Sequence, residues 1–167
     1  MSFGENLFAG KTILIAGAGK GIGLACAAMA AQYGANVIAV ARTKSDLDKL
    51  NDLYPENITP WVMDVTSESF YQKLRELPLL HGLVNNAGMN RVGPMEEQSN
   101  DNIDAVIDLN IRTLYKISQA AITPMKRTEN ASIVNMSSQM GFVGSQGRTL
   151  YCMSKHAVEG VTKAMAV

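Results

Sequence analysis

The sequence predicts an α/β domain built on a doubly wound parallel sheet, and three observations support this fold class. Short apolar runs alternate with longer segments that have helical spacing, a pattern typical of right-handed strand–helix–strand crossovers in a sheet covered on both faces. A glycine-rich turn directly follows the first apolar run. No repeat, linker or low-complexity segment interrupts the alternation, so we expect a single domain over residues 1–167.

The first half of the chain contains three predicted strands and two helices. Residues 11–16 (KTILIA) have the continuous apolar character of a buried parallel strand. An alanine-rich helix follows over 21–33, and Gly34 just past it suits a helix end. The remaining elements are two strands with a short polar helix between them: 36–41, 45–53 and 59–63.

The second half continues the alternation with two more strands and three helices. A helix over 67–76 has Ser67 as a plausible N-cap, and it precedes a strand at 82–85. A longer amphipathic helix is predicted over 100–125, with one apolar face made of Ile103, Ile107, Ile111, Leu114 and Ile117. A fifth strand at 132–136 precedes a last helix that begins near residue 150. Because no glycine, proline or polar tail ends that helix, we expect the sequence to stop within it and the natural protein to be longer.

Composition and charge exclude several classes of protein. The chain is 47% hydrophobic and 18% charged, which is typical of a globular domain rather than a disordered one. Fifteen basic residues balance fifteen acidic ones, so no net charge favours nucleic acid or an anionic membrane. The start of the sequence lacks a signal-peptide pattern, and no stretch is long and apolar enough to span a bilayer. Cys26 and Cys152 are best interpreted as reduced thiols, so we expect a cytoplasmic protein.

The turn after the first strand is a candidate phosphate-binding loop. Its glycines have the spacing GxxxGxG at Gly17, Gly21 and Gly23, which differs from GxGxxG at Ile22 and fails the P-loop pattern. Glycines in this position let the backbone approach a pyrophosphate while the following helix offers its free N–H groups. A tight strand-to-helix turn without a ligand is the alternative that the loop alone leaves open.

The end of the second strand indicates which dinucleotide is preferred. NAD-binding domains usually carry an acidic residue here that binds the ribose 2′-hydroxyl. This chain has Arg42 and Thr43 instead, with no acid until Asp46. Arg42 can bind a 2′-phosphate in a forked geometry, and Lys20 can add charge from the glycine loop. We therefore expect NADP(H), with no carboxylate opposing the phosphate.

Three side chains are candidates for carbonyl chemistry. Tyr151 and Lys155 lie four residues apart, on one face of the last helix. An ammonium near a phenol stabilises the phenolate and lowers its pKa toward neutral, which suits proton delivery to a developing alkoxide. Ser138, at the end of the fifth strand, can donate to a carbonyl oxygen, and Ser137 is the alternative. Lys155 can also hold ribose hydroxyls.

With these motifs in place, the chain resembles the short-chain dehydrogenase/reductase family, a Rossmann-type fold, over essentially its whole length. Within the family it is most similar to the tetrameric carbonyl reductases and dicarbonyl/L-xylulose reductases. The marks, in order, are the loop from Gly17 through Gly19, Lys20, Gly21 and Ile22 to Gly23, then Arg42, Thr43, Asp64, Val65, the sequence Asn85-Asn86-Ala87-Gly88, Asn110, Ser138, Tyr151 and Lys155.

The resemblance implies a role for each of these positions. Asp64 and Val65 would hold the adenine, and Asn86, Ala87 and Gly88 would line the cofactor cleft. Asn110 would hold a water that connects Lys155 to solvent, and Tyr151 and Lys155 would also contact the cofactor. The resemblance further implies a homo-oligomer, a dimer or tetramer, that pairs through the long helix and the helix carrying Tyr151.

The sequence departs from the family at two places. Ala16 stands where the family often has threonine, which removes one side-chain hydrogen bond. Family members also continue through two further strands and a substrate-covering loop, so the fifth strand would be an open edge here. Gln139, Met140, Phe142 and Arg148 are candidates for shaping a substrate pocket.

Three functions remain open at this stage. The favoured one is NADPH-dependent reduction of a ketone or aldehyde, with a sugar ketone or an α-dicarbonyl among the candidates, and with no metal because His81 and His156 are isolated. The alternatives are an NAD-dependent alcohol or polyol dehydrogenase and a non-catalytic dinucleotide-binding fragment. We expect the 167 residues alone to show no turnover.

Overall fold

The computed structural model describes residue 4 and residues 6–167, and it contains the predicted parallel sheet. Five strands lie in the order β3-β2-β1-β4-β5, and every neighbouring pair is parallel. The expectation of a doubly wound α/β fold is therefore confirmed. The prediction that the N-terminus lacks a signal peptide rests partly on residues 1–3 and 5, which lie outside the described residues. The strands are β1 (Thr12–Ala16), β2 (Asn36–Ala41), β3 (Ile58–Val62), β4 (Gly82–Asn85) and β5 (Ser132–Asn135).

Helices connect the strands, and their bounds agree with the sequence-based expectation to within one residue, apart from the long helix. Ser67 is confirmed as the cap of α3, because its side chain accepts a hydrogen bond of 3.3 Å from the backbone N–H of Phe70. The helices are α1 (Gly21–Gln32), α2 (Lys44–Leu53), α3 (Glu68–Arg75), α4 (Asn100–Ile107), α5 (Leu114–Met125) and α6 (Thr149–Met165). No helix of the described residues is long and apolar enough to cross a membrane.

Both faces of the sheet are covered because β1 and β2 are apolar on both sides. Leu14 and Ile15 are fully buried and point to opposite faces. On one face, Ile15 and its neighbours pack against α1 and α2 in a cluster that includes Ala27, Ala31, Leu47 and Leu50. On the other face, Leu14 packs against α3 and α5 in a cluster that includes Phe70, Leu74, Ile117 and Ala121.

The predicted uninterrupted helix over 100–125 is wrong in its middle. A π-helical segment, Asp108–Thr113, separates α4 from α5. A π-turn takes more residues than an α-turn, so the helical period is not uniform over 100–125. The residues that face the core before this segment therefore differ from those that a uniform period predicts. Leu114 and Ile117 are buried as expected. Val106 and Asn110 are buried in the first part of the helix, whereas Ile103, Ile107 and Ile111 are only half-buried.

The last strand and helix complete the described structure. β5 pairs with β4 on one side and forms the edge of the sheet, with Val134 half exposed. α6 packs against α4, the π-helical segment and the short turn that precedes it. This arrangement brings the N-terminal half of α6 toward the carboxyl ends of β4 and β5.

Candidate active site

A cleft of about 620 Å³ lies at the carboxyl ends of the central strands. The switch point of the sheet lies between β1 and β4, because β2 and β3 follow β1 on one side of it whereas β4 and β5 lie on the other side. In open α/β sheets, ligands bind at this place. Most of the predicted cofactor residues line the cleft: Gly17, Gly19, Lys20, Arg42, Thr43, Asp64, Val65, Asn86, Ala87 and Gly88.

The glycine turn is packed so closely that two positions accept no side chain. Gly17 has a φ of 85°, and a Cβ there would lie 2.9 Å from the backbone of Ala87. A Cβ on Gly23 would overlap the carbonyl oxygen of Gly17 and lie 2.6 Å from Nδ2 of Asn86. The Asn86 amide donates to that same carbonyl oxygen at 3.0 Å. The turn is therefore held against the segment after β4, with its backbone facing the cleft.

The start of α1 gives this end of the cleft its positive character. Lys20 precedes the helix in an extended conformation, and its side chain makes no capping hydrogen bond. The first turn of α1 contains no acidic residue, so its free N–H groups keep the partial positive charge of the helix dipole. Gly21, Ile22 and Gly23 belong to this first turn but do not line the cleft themselves, and Ile22 is 59% exposed.

The same end of the cleft also holds a second cation and an unexpected carboxylate. Arg42 and Thr43 follow β2 and line the cleft together with Lys20. The expectation that no carboxylate faces this end is wrong, because Asp46 lines it too. Its Oδ2 lies 3.7 Å from Nζ of Lys20. Asp46 reaches back because it lies in the first turn of α2, which folds over the end of β2.

Asp64, just beyond β3, is held by the backbone that follows it. Its Oδ1 accepts hydrogen bonds from the N–H of Thr66 at 2.9 Å and from the Thr66 hydroxyl at 2.8 Å. The hydrogen bond from the Thr66 backbone is the main reason that the pKa of Asp64 lies below its usual value, and the charge of Arg42 adds to it. Val65 is buried beside Asp64 at the edge of the cleft.

Asn110 connects the cleft to α6. Its side chain is 2% exposed and bonds to both backbone groups of Met89, accepting from the N–H and donating to the carbonyl, each at 2.8 Å. The amide also donates to the hydroxyl of Ser154 at 3.0 Å. Its polar side-chain atoms are thus engaged by protein groups, and the π-helical segment provides the turn that directs them inward.

Lys155 and Tyr151 lie together at the end of β5. The Lys155 side chain is 6% exposed, and its ammonium donates to the carbonyl oxygen of Met136 at 2.6 Å. The same nitrogen is 5.5 Å from the centre of the Tyr151 ring. Burial lowers the pKa of Lys155, because removal from water disfavours the charged ammonium. Tyr151 is half-buried.

The two serines after β5 differ in their surroundings. Oγ of Ser138 accepts from the N–H of Met140 at 3.2 Å, which leaves its hydroxyl proton free to be donated. Oγ of Ser137 is buried without a hydrogen-bond partner, and a Cβ on Gly141 would lie 2.7 Å from it. The same Cβ would lie 3.1 Å from the Lys155 carbonyl, so this turn packs directly on α6 beside the catalytic candidates.

Sequence reasoning missed part of the cleft lining. Asp46 could have been suspected from its place in the first turn of a helix that follows Arg42, since that turn faces the strand end. Neighbouring sequence gives no comparable signal for the other missed residues, which come from loops and from α4 and the π-helical segment: Met63, Thr66, Met89, Ala105, Asp108 and Leu109. Of the proposed substrate residues, Gln139 and Met140 lie in the turn after Ser138, and Phe142 is 67% exposed.

Comparison with known proteins identifies similar chains. The chain is 36% identical over 165 residues to the 3-oxoacyl-(acyl-carrier-protein) reductase FabG of Thermotoga maritima, covering 94% of this chain and 67% of that protein. It is 35% identical over 161 residues to the L-xylulose reductase of Mus musculus, covering 95% and 66%. A short chain dehydrogenase of Escherichia coli CFT073, solved in complex with NADPH, superposes with a TM-score of 0.89 at 28% identity, covering 98% of this chain and 73% of that one.

These matches extend over nearly all of the chain. It spans about two thirds of the length of the curated relatives that it matches. The family model for short chain dehydrogenases matches residues 11–167, which include the glycine turn, the cleft and the Tyr151–Lys155 pair. The chain belongs to the short-chain dehydrogenase family of oxidoreductases, which bind a nicotinamide dinucleotide.

Proposed function

We propose that this chain forms the cofactor-binding and catalytic part of an NADP(H)-dependent carbonyl reductase. The observation that carries the proposal is the joint placement of a closely packed glycine turn and of the Tyr151–Lys155 pair, with its buried lysine, at the carboxyl edge of one sheet. The reaction is reduction of a ketone or aldehyde to an alcohol. A hydride goes to the carbonyl carbon and a proton to the carbonyl oxygen.

The residues of the cleft fit a nicotinamide dinucleotide. At Gly17 and Gly23 the turn has no room for a Cβ. A turn without side chains lets its backbone come close to a pyrophosphate. The N-terminus of α1 would complement the diphosphate. Asp64 and Val65 would border the adenine, and Asn86, Ala87 and Gly88 would line the path toward α6.

Two observations support NADP(H) over NAD(H). Arg42 follows β2 at the ribose end of the cleft, and its guanidinium would bind a 2′-phosphate with Thr43 beside it. Structures similar to this chain have been solved with NADPH and with NADP, in proteins from Escherichia coli CFT073 and Shigella flexneri. Bound NADPH would supply the hydride.

In this proposal Tyr151 is the proton donor, and Lys155 and Ser138 assist it. The ammonium lies 5.5 Å from the centre of the ring, where its positive charge would stabilise the negative charge that develops on the phenol oxygen as the proton leaves. Because burial lowers the pKa of Lys155, this ammonium also exchanges protons more readily than an exposed lysine. Ser138 has a free hydroxyl proton that it would donate to the carbonyl oxygen, whereas the hydroxyl of Ser137 is buried and would stay out of contact with a substrate.

Asn110 would support the supply of protons through its backbone. Since protein groups occupy its side-chain amide, a water near Lys155 would bind the Asn110 backbone carbonyl rather than the amide. Its π-helical turn is the kind of local widening that recurs at functional sites. The amide itself fixes the spacing between the cleft wall at Met89 and α6 at Ser154.

The same proposal includes a homo-oligomer and a cytoplasmic location. α5 and α6 expose apolar side chains, including Tyr115, Ile122 and Met153, which a second copy would cover. Light scattering of the purified protein should therefore give the mass of a dimer or tetramer.

Cys26 and Cys152 are free and half-buried, which fits the reducing cytoplasm.

The test is NADPH oxidation by the purified full-length protein, followed by absorbance with diacetyl or xylulose as the carbonyl. We expect turnover with NADPH that exceeds turnover with NADH, and no turnover by the 167 residues alone. Activity confined to NAD⁺ and an alcohol would support the NAD-dependent dehydrogenase instead. Binding of NADP⁺ without turnover of any carbonyl would leave a dinucleotide-binding protein, and the proposed reaction would be wrong.

A further inference from the structure

Asp46 is enclosed against the glycine turn, whereas its partner Lys20 is free to move. The Asp46 side chain is 17% exposed and the Lys20 side chain 81% exposed, with 3.7 Å between Oδ2 and Nζ. A Cβ on Gly19 would lie 3.4 Å from the same Oδ2. The carboxylate is therefore a fixed feature of the cleft wall, and the flexible ammonium comes to it.

This pair changes the charge available to a ligand. Among the described residues that line the cleft, Lys20 and Arg42 are the cationic ones. Arg42 is close enough to Asp64 to influence it electrostatically, and Lys20 pairs with Asp46. Each cation at the ribose end thus already has an anionic neighbour. A 2′-phosphate that binds there must displace or share one of these partners.

We propose that Asp46 is a specificity-determining residue that weakens the preference for NADP(H) by competing with the 2′-phosphate for Lys20. The inference rests on the proposed function, since it assumes that the cleft binds a dinucleotide. NAD(H) carries no charge at this position, so the Lys20–Asp46 pair stays intact when NAD(H) binds. Arg42 attracts the phosphate while Asp46 opposes it, and the protein keeps appreciable affinity for both dinucleotides.

The size of the effect follows from the exposure of the pair. An ion pair at this distance with one highly exposed partner is weak, and a carboxylate a few ångströms from a phosphate repels it by a comparable amount in high dielectric. Neutralising Asp46 removes both the ion pair with Lys20 and the repulsion of the phosphate. This change should strengthen NADP⁺ binding by about tenfold and alter NAD⁺ binding by less than about twofold.

The experiment is calorimetric titration of the purified protein with NADP⁺ and NAD⁺ at low salt. Asp46→Asn removes the charge, and Asp48→Asn is the matched control, because Asp48 lies on the same helix and pairs with Lys44 away from the cleft. We expect the tenfold gain only in Asp46→Asn, and a second neutral variant, Asp46→Ser, should reproduce it. In a Lys20→Met background the gain should fall to less than about threefold, because the competition is gone.

Several results would overturn the proposal. An unchanged ratio of NADP⁺ to NAD⁺ affinity in Asp46→Asn would do so, as would an equal gain in Asp48→Asn. A larger loss for NAD⁺ than for NADP⁺ would show that Asp46 contacts the ribose hydroxyls instead. Wild-type protein that binds neither dinucleotide would defeat the proposed function as well. Arg42-dependent NADP⁺ binding with no response at Asp46 would defeat this inference alone.

Discussion

Replacement of Asn110 by alanine tests how the cleft and the catalytic helix are held together. The substitution removes an amide that makes three hydrogen bonds, two to the backbone of Met89 at 2.8 Å and one to the hydroxyl of Ser154 at 3.0 Å. Because Asn110 is 2% exposed, water does not readily replace them. Met89 would lose partners for both its N–H and its carbonyl.

The expected loss of stability can be worked from these contacts. A net contribution of about 1 kcal/mol per buried hydrogen bond gives about 3 kcal/mol for Asn110→Ala. For a chain of this size, about 2–4 °C per kcal/mol predicts a fall in Tm of roughly 6–12 °C. Asn102→Ala is the control, because Asn102 lies on α4 and its amide makes one long contact of 3.4 Å to Gln98. It should change the free energy of unfolding by less than about 0.5 kcal/mol.

Urea unfolding followed by circular dichroism measures both variants against the wild type. The slope of the transition should stay constant, so that the midpoint reports stability. A loss below about 1 kcal/mol in Asn110→Ala, or equal losses in the two variants, would contradict the view that this amide holds α6 against the cleft.

Three further predictions concern the cofactor, the proton and the carbonyl. Arg42→Ala should weaken NADP⁺ binding about 100-fold more than NAD⁺ binding, because a charge-assisted contact to the 2′-phosphate is lost; equal losses in a calorimetric titration would refute the assignment. Ser138→Ala should lower kcat about 100- to 1,000-fold, whereas Ser137→Ala should leave kcat within about threefold, because the Ser137 hydroxyl is enclosed and unpaired. Equal effects of the two on steady-state turnover would make the distinction wrong. The lowered pKa of Lys155 means that, between that pKa and the ordinary lysine value, the unfolded state binds a proton that the folded state lacks. The free energy of unfolding of wild type minus that of Lys155→Met should therefore rise with pH in this window, and a falling difference would contradict burial as the cause.

Much of the fold and the cleft could be predicted because the relevant signals are local. An apolar run flanked by turn residues is enough to place a strand, and parallel strands bring their carboxyl ends to one edge of the sheet. Gly17 and Arg42 each follow a strand directly and Asp64 lies two residues beyond β3, so their meeting at one cleft follows from the topology. Tyr151 and Lys155 are four residues apart on one helix, so the sequence alone shows that they share a face.

The errors arose where distant segments decide the outcome. The π-helical segment contains Asn110, which bonds to Met89 21 residues away, and a uniform helical period takes no account of such a distant contact. Asp46 was taken to lie beyond the ribose site because it follows the strand by several residues, but the first turn of α2 returns it to the glycine turn. The different surroundings of Ser137 and Ser138 depend on how closely Gly141 packs, which adjacent sequence does not show.

The most direct test of the proposed reaction is Tyr151→Phe, with turnover and cofactor binding measured on the same preparation. The phenol oxygen is removed while the ring beside Lys155 remains. NADPH-dependent carbonyl reduction should fall about 100- to 10,000-fold, as expected for loss of a general acid. The NADP⁺ Kd should change by less than about fivefold, the effect of one neutral hydrogen bond. Turnover that survives the substitution, or a loss that is fully explained by weaker NADP⁺ binding, would contradict the role of Tyr151 as proton donor.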